Sequence, residues 1–577
     1  CQSNQLASLD VSSNTALTNL KCYNNSLTSL DVSSNTALTS LDCPNNQLTS
    51  LDVSNNTALI SLFSQDNQLT SLDVSSNTAL SSFECTSNQI TALDVSNNIE
   101  LSWFKCGGNQ LTSLDVSSNP NLNYLICSHN QLTSLDVSAN TALTYLACQD
   151  NQLASLDVSA NTALTFLNVE GSNQLTSLDV SSNTALTQLH CYNNELTSLD
   201  VSSNTALTYL SCSSNQLTSL DVSGATALTE LGCTENQLTS LDVSTNTALT
   251  DLNCSDNQLT YLDVSSNTVL YDLRCYNNQL TSLNVNNNIA LTTLYCEGND
   301  LTSLDVSSNT ALNSLSCADN QLTSLDVSNN VDLYKLFCDF NELTSLDVSN
   351  NTALIQLRCY SNQLTSLDLS ANTALNFLSC DSNELTSLDV SSNTALTALN
   401  CNYNQLFHLN MKNGVTDQLT EFEATGNDLF CIETLDPAWA TENWTYENGN
   451  IDEGVAFSVF CAPEDYTYVP DDNFEQALID LGYDDVLNDF VLTENISSVT
   501  SLDVGAKQIS DLTGIEDFTA LTTLHCDNNQ LTSLDVSNNT ALTLLNCNSN
   551  QLTSLDVSSN TALTDLGCSS NQLTSLD

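Results

Sequence analysis

Apolar residues recur along the chain with a period of 21 positions, and each period contains the same pattern twice. One period runs from Leu38 to Ala58 and reads L-x-x-L-x-C-x-x-N, then, after one residue, L-x-x-L-x-V-x-x-N. In each half, apolar residues at positions i and i+2 flank one polar residue, which is the alternation of a short strand. The Asn that follows is suited to turning the chain. The pattern therefore predicts a coil with two short parallel strands per 21 residues.

The apolar residue that ends the first strand marks the phase of the repeat. It is Cys at positions 1, 22 and 43, from 85 to 148, and from 191 to 401, with one residue inserted near Gly171. Stacked coils would place neighbouring strands about 4.8 Å apart, with Leu, Val and Cys inside and Asn at the corners. Ser, Thr and Asn fill the connections, so helices are not expected within the coils. The sequence predicts a mainly β solenoid that resembles a β-helix.

The repeat is interrupted once by segments that we interpret as caps. We expect a first array over 1–401, its C-terminal cap over 402–463, a linker and helical N-terminal cap over 464–495, and a second array over 496–577 that stops in mid-coil. Caps are expected because the end of a solenoid exposes an unpaired strand edge and an open core.

The second cap contains one predicted helix. The residues from Asp472 to Leu481 favour a short helix with Asp472 as its N-cap, Glu475 completing a capping box, and Gly482 ending it. Phe474, Leu478 and Leu481 would share one face of it. Pro463 and Pro470 bracket the predicted linker that precedes the helix.

The repeated wording NQLTSLDVSxNTAL resembles the leucine-rich-repeat family, in its 21-residue bacterial variant with two nested half-repeats. The resemblance covers about residues 1–430 and 496–577. It implies a solenoid that binds other molecules. The repeat sequence is similar to that of surface or secreted proteins of Bacteroidetes-type bacteria. An extracellular or cell-surface location, with export by a type IX route, is what this resemblance implies.

The charge balance excludes two classes of partner. The 577 residues include 7 Lys and Arg against 67 Asp and Glu, for a formal charge of −60. Nucleic acids and anionic membranes would be repelled. No apolar run approaches the roughly 18 residues that a membrane helix needs, so membrane insertion is not expected. The oligomeric state is left open.

Enzyme chemistry finds no support in the sequence. Four phosphate-cradling or catalytic patterns, GxGxxG, GxxxxGK[ST], HExxH and GxSxG, are missing, and no C-x-x-C pair indicates a zinc site. We interpret the repeated Cys as core residues with free thiols, because stacked Cβ atoms about 4.8 Å apart exceed the roughly 3.5–4.5 Å of a disulfide. Cys431 and Cys461 lie out of phase within the first cap and are the one predicted disulfide. We expect no catalytic residue and no obligatory cofactor.

The outward residue of the valine strand is almost constant and acidic. It is Asp in eighteen of nineteen coils between Asp10 and Asp389, with Asn284 as the exception. Carboxylates about 4.8 Å apart repel by roughly 1 kcal/mol per pair in water. Hydrogen bonds from adjacent Ser and Thr, or screening by salt, would relieve this repulsion. Bound Ca²⁺ is the alternative, with Asp200, Asp221, Asp242 and Asp263 as candidate ligands.

The outward residues of the cysteine strand vary instead, and they concentrate aromatic and basic types. All five basic residues of the first array occupy these two positions, namely Lys21, Lys105, Arg274, Lys335 and Arg358. Exposed Tyr, Trp and Arg supply most of the binding energy at interfaces. The candidate ligand-binding residues are Trp103, Lys105, Tyr124, Tyr145, Arg274, Tyr276, Tyr295, Lys335, Phe337, Arg358 and Tyr360.

Two functions remain open at this point. The first is a non-enzymatic binding or adhesion scaffold that presents this face to a protein or glycan on another surface. The second is a structural spacer or stalk of a large cell-surface or filamentous protein, in which case the variation is drift on a solvent-exposed sheet.

Overall fold

A computed structural model describes residues 1–461, 465–487 and 489–576. They belong to two compact units, 1–428 with 444–452, and 429–443 with 453–577. Pro463 and the predicted boundary between the caps at 463/464 lie outside the described residues. Among the described residues, no helix has both the length and the apolar character needed to cross a membrane.

The first unit is built on one parallel sheet that contains a strand from every coil. Each strand pairs in register with the strand one coil away, so that, for example, Leu210 lies beside Leu231. Its strands are Asn19–Lys21, Ser40–Asp42, Ser61–Phe63, Ser82–Glu84, Trp103–Lys105, Tyr124–Ile126, Tyr145–Ala147, Phe166–Asn168, Gln188–His190, Tyr209–Ser211, Glu230–Gly232, Asp251–Asn253, Asp272–Arg274, Thr293–Tyr295, Ser314–Ser316, Lys335–Phe337, Gln356–Arg358, Phe377–Ser379, Ala398–Asn400 and Glu421–Glu423. The predicted mainly β, leucine-rich solenoid is confirmed.

Alternation along each strand decides which side chains enter the core. In Asn19–Lys21 the central Leu20 is buried while Asn19 and Lys21 are exposed, as period 2 requires. Leu41, Cys43, Leu48 and Val53 are all fully buried, and the same columns repeat from coil to coil. The interior is therefore filled by Leu, Val and Cys, and the helices of the described residues lie outside the first array.

Two columns of buried asparagines hold neighbouring coils together. The Nδ2 of Asn46 donates to the carbonyls of Cys43 and Pro44 in its own coil and of Cys22 in the preceding coil, and its Oδ1 accepts from Leu27 N–H at 3.0 Å. In the second column, Asn56 donates to the carbonyls of Val32 and Asn35 at 3.0 and 2.9 Å. The predicted corner ladders are confirmed, and they bond main chain that the sheet leaves unpaired.

Within the first unit, the second strand of the coil is regular at the two places where this second ladder is broken. Ser198–Asp200 pairs with Ser219–Asp221, and Ser387–Asp389 pairs with His408–Asn410. In these two coils the ladder position is Ala225 or Gly414 instead of Asn, so this column has no side-chain amide there to donate to the preceding coil. The amide N–H groups of Val201 and Val390 instead bond the next coil directly.

Elsewhere in the first unit, this segment is extended without a complete ladder of main-chain bonds. The Asn side chain, inserted between two coils, takes the place of the second sheet that the alternation predicts. At the break, Gly224 lies so close to Ser202 that a Cβ would stand 1.6 Å from the Ser202 carbonyl oxygen. Close approach of the two coils therefore requires glycine here.

The end of the first unit is covered by aromatic packing. Trp444 is buried and its ring lies 4.1 Å, centroid to centroid, from that of Phe422 in the last strand of the long sheet. Asn450 donates from Nδ2 to the Phe422 carbonyl at 2.8 Å. A 3₁₀ helix, Thr416–Gln418, precedes that strand.

The second unit contains the remaining elements. Its helices are Pro437–Asn443, Asp472–Asp480 and Thr493–Ser497, with a 3₁₀ helix at Ile515–Asp517. Its paired strands are Cys431–Glu433 with Ala456–Ser458, Tyr466–Tyr468 with Phe490–Leu492 (antiparallel), the parallel set Ser501–Asp503, Thr523–His525, Leu544–Asn546 and Asp565–Gly567, and Ser554–Leu555 with Ser575–Leu576. The strand Tyr466–Tyr468 occupies part of the predicted linker. Its central residue, Thr467, is buried, as the alternation of a strand requires.

The helix of the second cap forms, but its predicted N-cap is wrong. Asp471, not Asp472, caps it by accepting from Asn473 and Phe474 N–H at 3.0 Å each. The buried Glu475 accepts from Phe490 N–H at 3.3 Å and does not form the capping box. Leu481 is 46% exposed and does not share the buried face of Phe474 and Leu478. Gly482 ends the helix with φ +80°.

We expect Asn288→Ala to weaken the stack far more than Asn287→Ala. Asn288 is buried and donates to the carbonyls of Val264 and Asn267 at 2.9 and 2.8 Å, whereas Asn287 is exposed and donates once, to Ser265 O. Loss of the buried donor costs about 1–3 kcal/mol. Coils contact mainly their neighbours, so amide hydrogen exchange of the adjoining coils measures this loss. Equal protection in the two variants would contradict the structural role of the ladder.

Candidate binding face

The cysteines of the array form a column of buried thiols rather than a reactive site. Cys43, Cys127 and Cys191 are fully buried, and burial raises the pKa of Cys127 and of Cys191 to about 12. A thiol whose pKa is raised by burial stays protonated and is a poor nucleophile. The array cysteines are unbonded thiols in the structure.

Cys431 and Cys461, the pair that the sequence sets apart, are joined to each other. Their Cα atoms lie 5.6 Å apart and the bond closes a loop of 30 residues. The Cys461 N–H donates to the Glu433 carboxylate at 3.2 Å, which holds the second cysteine beside the strand that contains the first.

Each outward Asp of the valine strand accepts hydrogen bonds from the Ser two residues later. Asp221, Asp242 and Asp263 accept from Ser N–H at 2.9 Å, and Asp200 at 2.8 Å. The Ser hydroxyl and N–H lower the pKa of Asp221, Asp242 and Asp263 below the usual range. The exceptional Asn284 accepts the same bond from Asn286 N–H at 3.0 Å.

These hydrogen bonds supply a structural reason for the acidic column, because either Asp or Asn can close the turn. Among the described residues, the three carboxylates that could share one ion are Asp472, Glu475 and Asp489, in the second unit. Asp200, Asp221, Asp242 and Asp263 lie along a line, so three of them cannot converge on one ion. Bridging of neighbouring pairs by Ca²⁺ stays a prediction.

The outward face of the long sheet contains a continuous stack of rings, which we call the aromatic ladder. Consecutive ring centroids lie 4.1–5.8 Å apart, and the closest contacts, Tyr124–Tyr145 and Tyr145–Phe166, have interplanar angles of 14° and 1°. Its members are Phe63, Trp103, Tyr124, Tyr145, Phe166, His190 and Tyr209. Burial raises the pKa of Tyr145 to about 12.

Stacking determines what the aromatic ladder can present to a ligand. Tyr145 has a ring about 4 Å away on both sides. Its faces are occupied, and its edge and hydroxyl are what remains accessible. The ammonium of Lys105 covers Trp103 at 4.5 Å and approaches Tyr124 at 5.7 Å. Sugar rings bind aromatic faces, so this ladder is better suited to edge-on contact with protein.

Farther along the same face, cations and rings alternate in a second group, which we call the cation–π run. Lys335 Nζ lies 5.5 Å from the Tyr295 ring centroid and 4.3 Å from that of Phe337. The Arg358 guanidinium lies 4.4 Å from Phe337 and 5.4 Å from Phe377. Arg274 lies 5.6 Å from Tyr295. The members of the run are Arg274, Tyr295, Lys335, Phe337, Arg358 and Phe377.

Small residues and buried acids support this run from below. Ser314 and Ser316 are buried in the strand between Tyr295 and Lys335, and the Ser314 hydroxyl lies 3.1 Å from the Tyr295 hydroxyl. Burial raises the pKa of Glu297 and of Asp339, near Lys335 and Arg358 respectively. Arg274 makes a bidentate pair with Asp272 at 2.9 and 3.0 Å. The aliphatic stems are thereby held while the exposed guanidinium groups of Arg274 and Arg358 face solvent.

The structure gathers most of the predicted ligand-binding residues into these two groups. Trp103, Lys105, Tyr124 and Tyr145 meet within the aromatic ladder. Arg274 and Tyr295 join Lys335, Phe337 and Arg358 in one group through the Lys335–Tyr295 contact. Tyr276 is half-buried and makes no ring contact within the described residues. Tyr360 contacts Phe340 at 5.0 Å.

Sequence reasoning missed several members of this face. Phe63 and Tyr209 occupy outward phases and extend the ladder at its two ends. Phe340 has φ +51°, a conformation that is uncommon for a bulky residue, and it is 52% exposed. Departure from the repeat consensus is the signal that could have identified them.

A depression of about 360 Å³, lined in part by Glu230, Asp251 and Asp272, separates the aromatic ladder from the cation–π run.

The fold and the repeat define a leucine-rich-repeat solenoid. No model of a known protein family matches the chain. The functional domain of InlJ from Listeria monocytogenes, which includes a cysteine ladder, is 38% identical over 62% of this chain and 75% of that one, with a TM-score of 0.53. The chain belongs to the leucine-rich-repeat family and is similar to this internalin.

Two other comparisons support less, one because it is short and one because its sequence identity is low. Internalin J of Listeria monocytogenes serotype 4b is 39% identical over 72 residues, so the match spans 12% of this chain and only 8% of that relative. YopM from Yersinia enterocolitica is 23% identical over 76% of this chain and 86% of its own, with a TM-score of 0.55, and shares the fold alone.

We expect thiol labelling to divide the cysteines into two classes. Under native conditions the buried array thiols should resist alkylation, because burial keeps them protonated and inaccessible. In denaturant without reductant, 21 of the 23 cysteines should react. Cys431 and Cys461 should react only after reduction, as mass spectrometry of peptides would show. Blocked cysteines within the array would contradict the thiol column.

We expect stability to fall as the pH drops through the aspartate range. The folded-state pKa of residues such as Asp242 and Asp263 is lowered. The stability they add is therefore present above the unfolded value of about 3.9 and is lost as the pH falls through the folded-state value. Urea unfolding between pH 7 and pH 2 measures this loss of stability.

Calcium added at low ionic strength should leave the melting temperature unchanged if the Ser hydrogen bonds suffice to stabilise the acidic column. An increase in the melting temperature would support Ca²⁺ bridging between neighbouring Asp residues instead.

Proposed function

We propose that the chain is a non-enzymatic binding scaffold that attaches to a protein partner through the outward face of its long sheet. The observation that carries this proposal is the cation–π run. In a chain of net charge −60, Lys335 and Arg358 lie over aromatic rings rather than within 4 Å of a carboxylate among the described residues. Arginine and aromatic side chains are the types that dominate binding energy at interfaces.

The distribution of variation supports binding over drift. The valine-strand face repeats the same Asp and Ser in coil after coil, while the cysteine-strand face carries all five basic residues of the first array. Both faces are exposed to water, so drift alone would place basic residues on both. Cations are also among the least useful residues for packing coils together, since burying them is costly.

The stacked geometry favours a protein over a glycan. Ring faces in the aromatic ladder are covered by neighbouring rings, and those in the cation–π run are covered by Lys335 and Arg358. Stacking of a sugar would have to displace these contacts. Ring edges, hydroxyl groups and guanidinium groups remain available, and they suit main-chain carbonyls and carboxylates of a protein.

The spacer hypothesis retains one supporting observation. Tyr124, Tyr145 and Phe166 stack coil on coil, and aromatic pairs of this kind contribute about 0.5–1.5 kcal/mol each beyond burial. A stalk could use such a ladder for stiffness alone. The cation–π run also joins neighbouring coils, but it leaves the guanidinium groups of Arg274 and Arg358 exposed, which stiffness alone does not require.

An extracellular or cell-surface location completes the proposal. The Cys431–Cys461 disulfide supports it, because disulfides persist in oxidising compartments. The fully buried array thiols would survive there unoxidised. Export by a type IX route in a Bacteroidetes-type bacterium is part of this proposal and rests on the resemblance of the repeat.

We expect the variant Phe337→Ser, Arg358→Ser and Tyr360→Ser to keep its fold and to lose attachment by at least about tenfold. Ser occupies the same phases in other coils, as at Ser211, Ser316 and Ser255, so the coil tolerates it. A tenfold loss of affinity corresponds to a loss of about 1.4 kcal/mol of binding free energy. The measurement is binding to a protein and glycan array.

The matched control is Lys21→Ser with Tyr23→Ser, which removes a cation and a ring from the same phases of a coil outside both groups. It should bind as the parent does. Equal attachment by the triple variant and the parent would instead favour the spacer.

A further inference from the structure

Exposed apolar residues gather on the edge of the sheet that leads into the cysteine strands of the cation–π run. The consensus of this connection is Asn-Thr-Ala-Leu-Thr. Six positions between 269 and 355 replace its small or polar residues by large apolar ones that are 38–63% exposed. We call them the flanking strip: Val269, Tyr271, Ile289, Val331, Tyr334 and Ile355.

The flanking strip lies directly beside the cation–π run. Tyr334 immediately precedes Lys335, and Tyr271 precedes Asp272, the partner of Arg274. The coils are bonded to one another here, because Ile355 N–H donates to the Tyr334 carbonyl at 2.8 Å. A largely apolar column, interrupted at Thr292 and Asn313, therefore runs along the same coils as the cations of the run.

Stability of the solenoid does not explain this strip. At the same phase, the consensus Thr donates its hydroxyl to the preceding coil, as Thr250 does to Thr229 O at 3.0 Å and Thr292 to Tyr271 O at 3.1 Å. Tyr334 and Ile355 lack a hydroxyl that could make this bond. They lose this hydrogen bond, and both remain exposed to solvent over 44% and 38% of their surface.

The opposite edge of the run carries a second unfavourable substitution. Phe340 occupies a left-handed position, φ +51°, that most other coils fill with Asn, Asp, Ser or Gly, with His129, Glu235 and Tyr403 as the other exceptions. A bulky side chain is disfavoured there, yet the Phe340 ring is 52% exposed. Substitutions that cost stability persist where function requires them. The flanking strip and Phe340 lie on opposite edges of the same coils.

We propose that the flanking strip and the cation–π run form one docking surface for an amphipathic helix of a partner protein, with an apolar stripe beside a row of carboxylates. This inference rests on the proposed function and names the chemistry of its partner. The carboxylates complement the half-buried Lys335 and the exposed guanidinium group of Arg358, neither of which has a carboxylate within 4 Å among the described residues. The apolar stripe covers Tyr271, Tyr334 and Ile355.

The dimensions and the arrangement fit a helix. From the coil of Tyr271 to that of Ile355 there are four steps of about 4.8 Å, or roughly 19 Å. A helix of about 13 residues has this length at 1.5 Å per residue. A helix can present two adjacent stripes of different chemistry along its axis, whereas an extended segment turns alternate side chains away from the surface.

The test uses a displayed library of 13-residue helical peptides, selected on the whole chain and then measured on variants. Selected peptides should combine an apolar stripe with flanking Asp or Glu. Restoring the consensus by Tyr271→Thr, Tyr334→Thr and Ile355→Thr should weaken them at least tenfold. Ile60→Thr, at the same phase in a remote coil, is the matched control and should leave their affinity unchanged.

The same variants separate the two proposals. If peptides bind the consensus-restored chain as tightly as the parent but lose affinity for the Phe337, Arg358 and Tyr360 variant, the binding face stands and the helix-docking surface is wrong. If both variants bind like the parent, both proposals are wrong. Selection of basic peptides would also overturn the docking surface. So would binding of an acidic polysaccharide such as alginate to this face when no peptide binds it.

Thermal unfolding supplies a second, independent readout. Because the consensus Thr regains its hydrogen bond, the consensus-restored chain should melt at the same temperature as the parent or higher. A lower melting temperature would show that the flanking strip stabilises the coils, and would overturn its assignment as a docking surface.

Discussion

The buried asparagine between two coils is the interaction on which the rest of the structure depends. Asn46 donates to three carbonyls and accepts one N–H, joining its own coil to the preceding one. A solenoid has no closed core, so each coil is stable only on its neighbour. In the second column, that of Asn56, the effect of losing the amide is visible at Ala225 and Gly414, where main-chain bonds between two strands replace it. The ladder therefore sets how adjacent coils meet.

A framework held from within leaves the outward positions free to vary. Leu, Val, Cys and Asn fill the interior and the corners of every coil, and the outward residues of the cysteine strand have no part in that packing. Tyr, Trp, Lys and Arg can occur there without disturbing the fold. The in-register stacking then aligns them, so that residues separated by one or more periods, such as Tyr295 and Lys335, become neighbours. One-dimensional repetition thus turns scattered substitutions into a continuous face.

Much of the fold could be predicted from the sequence because both of its periods are local. The 21-residue period gives the coil, and the alternation within Asn19–Lys21 gives the inward Leu20. The predicted second strand was only partly right, since alternation cannot tell whether an Asn side chain or a main-chain bond will join two coils. The helix of the second cap was placed correctly, but its N-cap was not. The capping-box spacing to Glu475 favoured Asp472, whereas in the structure Asp471 accepts the N-cap hydrogen bonds and Glu475 accepts from Phe490 N–H.

By itself the sequence determined the repeat, its two faces and the columns in which aromatic and basic residues stand, because parallel register carries each residue onto its counterpart 21 positions away. Only the tertiary structure decided which of these side chains touch. Tyr145 stacks on both neighbours, while Tyr276 joins no ring contact among the described residues. Lys335 reaches Tyr295 across a strand whose Ser314 is buried beneath them. Such contacts depend on rotamers and on the size of the residues between them, and neither is written in a periodic pattern.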